Sequence, residues 1–103
     1  MTIQELEARL VRLSPVGYME VSTLAEAQGV EMLCPGCFAK NGGPRGTHII
    51  IAWFRGRAVP DDVRPGPGRW AISGSTRDDL TLNPSVDVGC WHGFIRDGKA
   101  TGA

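Results

Sequence analysis

The chain has 103 residues, of which 42% are hydrophobic, and eleven Lys and Arg residues balance eleven Asp and Glu residues. At this length we expect one domain with a small core that buries about 65% of the unfolded surface, so a metal would add useful stability. The balanced charge removes the composition argument for a nucleic-acid-binding or membrane-surface protein.

The first predicted element is a helix over residues 2–13. Thr2 and Glu5 match a capping box, and Ser14-Pro15 ends the segment. Apolar residues recur at helical spacing and form one stripe, made of Ile3, Leu6, Leu10 and Leu13. The stripe predicts packing on the chain's own sheet or, alternatively, a homodimer contact through residues 2–13. We therefore divide the chain into an N-terminal helix, 1–14, and a β-rich domain, 15–103.

Short segments with strand character follow the predicted helix, at residues 18–21, 30–33, 48–54, 70–72 and 94–95. The third, HIIIAWF, is β-branched and aromatic almost throughout, which predicts a central strand covered on both faces. Residues 22–29 fit a helical turn or a hairpin loop. Asp97-Gly98 predicts a hairpin turn into a short return strand. The pattern predicts an α+β, β-rich fold with a small antiparallel sheet.

Residues 55–69 predict a loop because the prolines and glycines of PGPG forbid regular structure. The segment is basic, which fits either a solvated loop or a contact surface for nucleic acid or an acidic partner. Trp91 is the best candidate for an exposed aromatic contact. The candidate contact surface therefore consists of Arg55, Arg57, Arg64, Arg69 and Trp91.

Three cysteines and two histidines carry the strongest chemical signal. Cys34 and Cys37 lie in CPGC, where a tight turn lets two thiolates reach one ion. Cys90 and His92 are two residues apart, so on a strand their side chains would face the same side. Together they predict a closed Cys3His site for one zinc ion, with His48 as the alternative fourth ligand.

Other roles for these residues fit the sequence less well. A thioredoxin-like redox pair needs a βαβ context that the sequence does not predict. The first thirteen residues lack the apolar region of a signal peptide, and the cysteine count is odd, so we expect a reducing cytoplasm in which clustered thiols bind metal. No apolar run reaches about 18 residues, so we expect no membrane segment. Iron in place of zinc would point to electron transfer.

A catalytic metal site usually keeps one coordination position open, whereas four protein ligands are on offer here. No HExxH, P-loop or GxSxG motif is present. The alternative function is therefore a hydrolase-like metalloenzyme, with Asp87 or Asp97 near an incompletely closed zinc site. A second alternative is a nucleic-acid-binding zinc module that uses the basic loop.

Several motifs occur in a characteristic order: CPGC, a His before an aliphatic strand, WAISG (70–74), TLNPS (81–85) and CWHGFIRDGK (90–99). In this the chain resembles a family of small phage and prophage proteins of uncharacterised function, some of them labelled ammonia monooxygenase, an activity that these residues do not support. The resemblance covers residues 30–99 and implies a small, β-rich, zinc-binding fold. The family usually has adjacent Cys-His where this chain has Cys-Trp-His, which adds weight to His48.

The sequence thus predicts a zinc-stabilised accessory or interaction module of phage or prophage origin, without catalysis, in the cytoplasm. We expect an unidentified protein as its partner, with nucleic acid as the alternative partner, and no membrane.

Overall fold

Three small antiparallel sheets account for most of the regular structure in the computed structural model, which describes residues 1–66 and 68–103. The four-stranded sheet has the order β2-β1-β3-β4, a second sheet pairs β5 with β6, and the third has the order β7-β8-β9. The elements are β1 (Arg9–Ser14), β2 (Gly17–Glu20), β3 (Gly29–Leu33), α1 (Pro35–Asn41), β4 (Ile49–Trp53), β5 (Ala71–Ser73), β6 (Thr81–Asn83), β7 (Val86–Asp87), β8 (His92–Arg96) and β9 (Lys99–Gly102). The predicted β-rich α+β class is confirmed.

The predicted N-terminal helix is wrong. Thr2 and Glu5 do form the reciprocal hydrogen bonds of a capping box, but only one turn follows. Glu7 has a positive φ of 57°, and the chain then enters β1. β1 pairs with both β2 and β3, and this pairing buries Leu10 and Val11 on opposite faces of the sheet. Tertiary pairing therefore outweighs the local helical pattern.

The apolar stripe of the N-terminal segment lies inside the chain's own core. Ile3, Leu6 and Leu10 are buried, and Leu13 is half-buried. The segment is tied to β9, because Ile3 N–H donates to the Gly98 carbonyl and Ala100 N–H donates to the Met1 carbonyl. A homodimer through residues 2–13 stays a prediction, and it would have to use other side chains.

The strand predicted to be central, residues 48–54, lies at an edge. Among the described residues, β4 pairs with a strand along one side, that of β3, and Ile49 is 53% exposed. On the opposite side, hydrogen bonds form near the end of β4, where Trp70 N–H donates to the Trp53 carbonyl and Arg55 N–H donates to the Trp70 carbonyl. Residues 22–29, for which the sequence left a helical turn or a hairpin loop open, form turns up to Gln28, with Ala27 N–H donating to the Leu24 carbonyl. The flanking strands β2 and β3 do not pair with each other, so the segment is not a hairpin loop. The predicted Asp97-Gly98 hairpin and its return strand are confirmed.

One charged side chain is buried among the described residues. Glu31 is 2% exposed on β3, where Arg9 forms an ion pair with it and Tyr18 Oη–H donates to its Oε2 at 2.9 Å. The hydrogen bond to Glu31 raises the pKa of Tyr18. Because both carboxylate oxygens have partners, the desolvation cost of this buried charge is offset and the three strands are held in register.

Arg57 fastens the basic loop to the turn segment between β2 and β3. Its Nη1 lies 2.8 Å from the carbonyl oxygen of Leu24 and 2.9 Å from that of Ala27. Gln28 Nε2 returns a hydrogen bond to the Arg57 carbonyl. Among the residues described, none forms a helix long and apolar enough to cross a membrane.

We predict that Arg57→Ala lowers the free energy of unfolding by about 1–3 kcal/mol, because carbonyls of the 24–27 turn lose a charged donor. Urea denaturation of the metal-loaded protein measures this change. Arg45→Ala removes an exposed arginine and should change stability by less than about 0.5 kcal/mol. Equal stability of the two variants would show that Arg57 does not hold the loop.

Candidate metal centre

Four side chains from three separate segments meet at one point. Cys34 and Cys37 come from the start of α1, His48 precedes β4, and Cys90 lies between β7 and β8. One ligand atom from each of the four residues lies within 4.8 Å of the other three. The cluster is a Cys3His set that could hold one metal ion.

Strand register places His48 beside Cys34. β3 and β4 pair antiparallel, with Leu33 opposite Ile49. The next pair in this register is Cys34 opposite His48, and Cys34 N–H donates to the His48 carbonyl at 2.9 Å. The two side chains are therefore cross-strand neighbours although thirteen residues separate them in the sequence.

The first turn of α1 brings Cys37 to the same point. Cys34 is the N-cap residue in an extended conformation, and Pro35 begins the helix, where its missing N–H costs nothing. Phe38 N–H donates to the Cys34 carbonyl at 2.8 Å. Residues three apart at a helix start face the same side, so both sulfurs point toward His48.

Cys90 reaches the cluster from the tip of a hairpin. β7 pairs with β8 through Asp87 opposite His92, and Val88 N–H donates to the Trp91 carbonyl at 3.0 Å. Gly89 and Cys90 are thus the two turn residues. Gly89 has a φ of 85°, which favours glycine, and its N–H donates to Asp87 Oδ1 at 3.0 Å.

His92, the favoured fourth ligand in the sequence analysis, lies outside the cluster. Its Nε2 is 3.1 Å from Ser85 Oγ, and His92 is not among the residues whose ligand atoms converge. The prediction assumed that residues 90 and 92 share one strand, but β8 begins only at His92. Cys90 belongs to the turn, where strand alternation does not hold, and the structure brings His48, the alternative ligand, into the cluster in place of His92.

The distances suit a small tetrahedral ion. The sulfurs of Cys34 and Cys90 are 3.3 Å apart, and His48 Nε2 is 3.1 Å from the Cys90 sulfur. Around zinc, bond lengths of about 2.3 Å to sulfur and 2.0 Å to nitrogen give tetrahedral edges of about 3.8 and 3.5 Å. The ligand atoms need to separate by about half an ångström to accept the ion, which turn and side-chain rotations supply.

The three thiols do not share one acidity. Burial raises the pKa of Cys34, but hydrogen bonds from the Cys37 backbone N–H and from the Cys90 thiol outweigh burial and lower that pKa below its usual value. Hydrogen bonding to Cys34, together with burial, raises the pKa of Cys90 to about 11. A metal ion that binds Cys90 therefore has to displace a proton.

The candidate contact residues do not form one surface with free side chains. The guanidinium groups of Arg55, Arg57 and Arg69 all donate to backbone carbonyls of loop residues, and Arg64 is exposed. Trp91 is half-buried against the core rather than projecting into solvent.

The two candidate catalytic carboxylates lie at opposite ends of the β7–β9 sheet. Asp87 is exposed beside the cysteine turn, whereas Asp97 lies in the turn after β8, at the far end of that strand from Cys90. Asp97 N–H donates to Thr81 Oγ1 at 2.9 Å. Asp87 alone is therefore close to the cluster along the chain.

No protein-family model, curated protein or solved structure matches this chain. The resemblance to the phage and prophage family stays a prediction that rests on the motifs themselves. Function has to be argued from the geometry of the site.

Gly36 has a role that the sequence did not predict. A Cβ at this position would lie 2.7 Å from the Cys90 carbonyl oxygen and 3.0 Å from Trp91 Cβ. CPGC therefore needs glycine because the hairpin tip packs directly on the first turn of α1, and not because of a positive φ.

We predict that Gly36→Ala weakens metal binding at least tenfold, because the added methyl group pushes Cys90 away from the other three ligands. Alanine favours a helix over glycine by up to about 1 kcal/mol, so a loss cannot come from helix propensity. Competition with a chromophoric chelator measures the affinity. Gly102→Ala, where a Cβ meets nothing within 4 Å, is the control. Unchanged affinity in Gly36→Ala would contradict the packing argument.

Proposed function

We propose that this chain is a non-catalytic interaction module whose fold is held by one zinc ion bound to Cys34, Cys37, His48 and Cys90. The observation that carries the proposal is the convergence of these four ligand atoms within 4.8 Å. Three sulfurs and one imidazole are a ligand set typical of structural zinc. The motif resemblance favours a phage or prophage origin, and the reducing cytoplasm is the compartment in which such thiols stay available for metal.

The coordination number supports a structural role over catalysis. Four protein ligands complete a tetrahedron and leave no position for a substrate or water, and three thiolates make zinc a weak Lewis acid. Asp87 Oδ1 accepts the Gly89 N–H, so this carboxylate supports the turn that presents Cys90. The hydrolase alternative would require a ligand to leave the ion.

Binding of the ion would contribute much of the stability of a domain this small. Structural zinc sites in short peptides bind with about 10–16 kcal/mol at neutral pH, which is as large as the total stability of a typical domain. The ion links α1 and the start of β4 to the β7–β8 hairpin, 56 residues apart between Cys34 and Cys90. Closing such a long loop removes many conformations from the unfolded chain.

Nucleic-acid binding is supported less well than protein binding. Arg57 and Arg69 already donate to carbonyl oxygens within hydrogen-bond distance, so their charges hold the loop. Binding of nucleic acid instead needs basic side chains that are free to reach its phosphate groups. The protein partner therefore remains the first choice.

We predict one zinc ion per chain by elemental analysis, and loss of that ion in His48→Ala but not in His92→Ala. Substitution with Co²⁺ reports the ligands directly, because three thiolates give intense charge-transfer absorption and tetrahedral geometry gives strong visible bands. Both signals should weaken in His48→Ala and persist in His92→Ala.

Strong chelators should unfold the unaltered protein, measured by circular dichroism, and Cys34→Ser should fail to fold or precipitate. A protein that carries no metal and stays fully folded would overturn the proposal. A zinc-loaded protein with steady hydrolytic turnover, abolished by Asp87→Asn without loss of zinc, would support the metalloenzyme in its place.

A further inference from the structure

A groove of about 600 Å³ lies between β4 and β7, and His48 is one of the residues that line it. Its volume lies within the range of about 300–1,000 Å³ that is typical of ligand pockets. One wall is the exposed side of β4, the segment 85–88 is a second, and Pro65, Gly66 and Gly68 of the loop complete the described lining. The lining residues that matter here are Ile49, Ile51, Trp70, Ser85 and Asp87.

The β4 wall of the groove is an open strand edge. The β3–β4 ladder has a backbone hydrogen bond just beyond each end. Cys34 N–H donates to the His48 carbonyl at one end, and Phe54 N–H donates to the Gln28 carbonyl at the other. By antiparallel alternation, even-numbered residues of β4 bond to β3, and the backbone of Ile49 and Ile51 points away from it. Within residues 1–66 and 68–103, these two outward backbones have no strand partner.

The β7 wall is also a strand edge, and it faces the same space. Val88 bonds to Trp91 across the hairpin, so the backbone of Ser85 and Asp87 points away from β8. Trp70 connects the two edges at one end of the groove. Its backbone N–H donates to the Trp53 carbonyl at 3.0 Å, and its indole Nε1 donates to the Ser85 carbonyl at 3.2 Å.

The charges around the groove select a basic occupant. Asp87 is exposed, and among the described lining residues there is no Lys or Arg. At the His48 end, the proposed zinc ion with two positive charges and three thiolates with one negative charge each leave a net charge of −1. Both fixed charges at this groove are therefore negative, while Ile49, Ile51 and Trp70 supply apolar surface.

We propose that this groove binds an extended segment of a partner protein, added as a strand along the Ile49–Ile51 edge, with a Lys or Arg side chain directed to Asp87. Strand addition supplies main-chain hydrogen bonds, and pockets for alternate side chains supply specificity. The inference rests on the proposed function, because it identifies the interaction surface of the same module and uses the charge of its metal centre.

Selection from a random octapeptide library, displayed on phage and panned against the zinc-loaded protein, tests the inference. We expect enrichment of peptides that alternate apolar residues with Lys or Arg. Synthetic copies should bind at least tenfold more weakly to Ile51→Pro, which removes one outward N–H while leaving the even-numbered bonds to β3. Ile51→Val keeps that N–H and should change the dissociation constant less than threefold.

Two further measurements keep the test decisive if Ile51→Pro does not fold. Two versions of each peptide are made, N-methylated at either the odd-numbered or the even-numbered residues. One version should bind the unaltered protein at least tenfold more weakly than the unmethylated peptide, because only one set of N–H groups faces β4. Asp87→Asn should weaken basic peptides about threefold or more, and this difference should shrink at high salt.

Absence of enrichment, selection of acidic peptides, or equal binding of methylated and unmethylated peptides would overturn the inference. Zinc content measured on the same preparations separates the two claims. One zinc per chain without peptide binding leaves the proposed function standing and removes the inference. A folded protein without metal removes the proposed function and, with it, the metal-centre charge on which the inference rests.

Discussion

Three cysteine sulfurs and the His48 imidazole meet where the end of one sheet abuts the tip of a hairpin from another. Each ligand is presented by ordinary local structure: the N-cap and first turn of α1, the continued β3–β4 register, and the two-residue turn between β7 and β8. The contact is close enough that Gly36 has no room for a methyl group beneath Cys90. This convergence joins the β7–β9 sheet to α1 and the start of β4, and the hydrogen bond from the Trp70 indole to the Ser85 carbonyl adds a second link nearby.

The same point shapes the surface beside it. His48 belongs to the metal centre and also begins the groove between β4 and β7. The ion would fix the spacing of the two strand edges, since His48 precedes one and Cys90 follows the other. Under the proposed function, the ion would support recognition without touching the partner, because it would hold the gap between the two edges and add negative charge at one end.

Much of the fold and three of the four cluster residues, Cys34, Cys37 and Cys90, were predictable from the sequence, with His48 named as the alternative to His92. The CPGC spacing identified Cys34 and Cys37, and β-branched runs identified most strands. The N-terminal helix failed because Ile3, Leu6 and Leu10 repeat at helical spacing, while the long-range pairing of β1 on both sides decides its conformation. β4 was predicted to be central because its apolar composition indicates burial. Its residues Ile50, Ala52 and Trp53 are indeed buried, although the strand lies at an edge, and the Trp53 indole donates to the Arg64 carbonyl of the adjacent loop.

The fourth ligand shows the same limit. Cys90 and His92 are close in sequence, so strand alternation paired them, but the strand starts after Cys90. The signal for His48 was present in the two neighbouring strands: if they pair antiparallel with Leu33 opposite Ile49, Cys34 and His48 fall opposite each other. Recognising it required the pairing register, which the sequence of either strand alone does not contain.

X-ray absorption spectroscopy at the zinc edge of the purified protein tests the central claim most directly. The account predicts a first shell of three sulfurs at about 2.3 Å and one nitrogen at about 2.0 Å, with the outer-shell scattering of a single imidazole. That nitrogen signal should vanish in His48→Ala and remain in His92→Ala. A shell dominated by oxygen, or one with two imidazoles or fewer than three sulfurs, would contradict it.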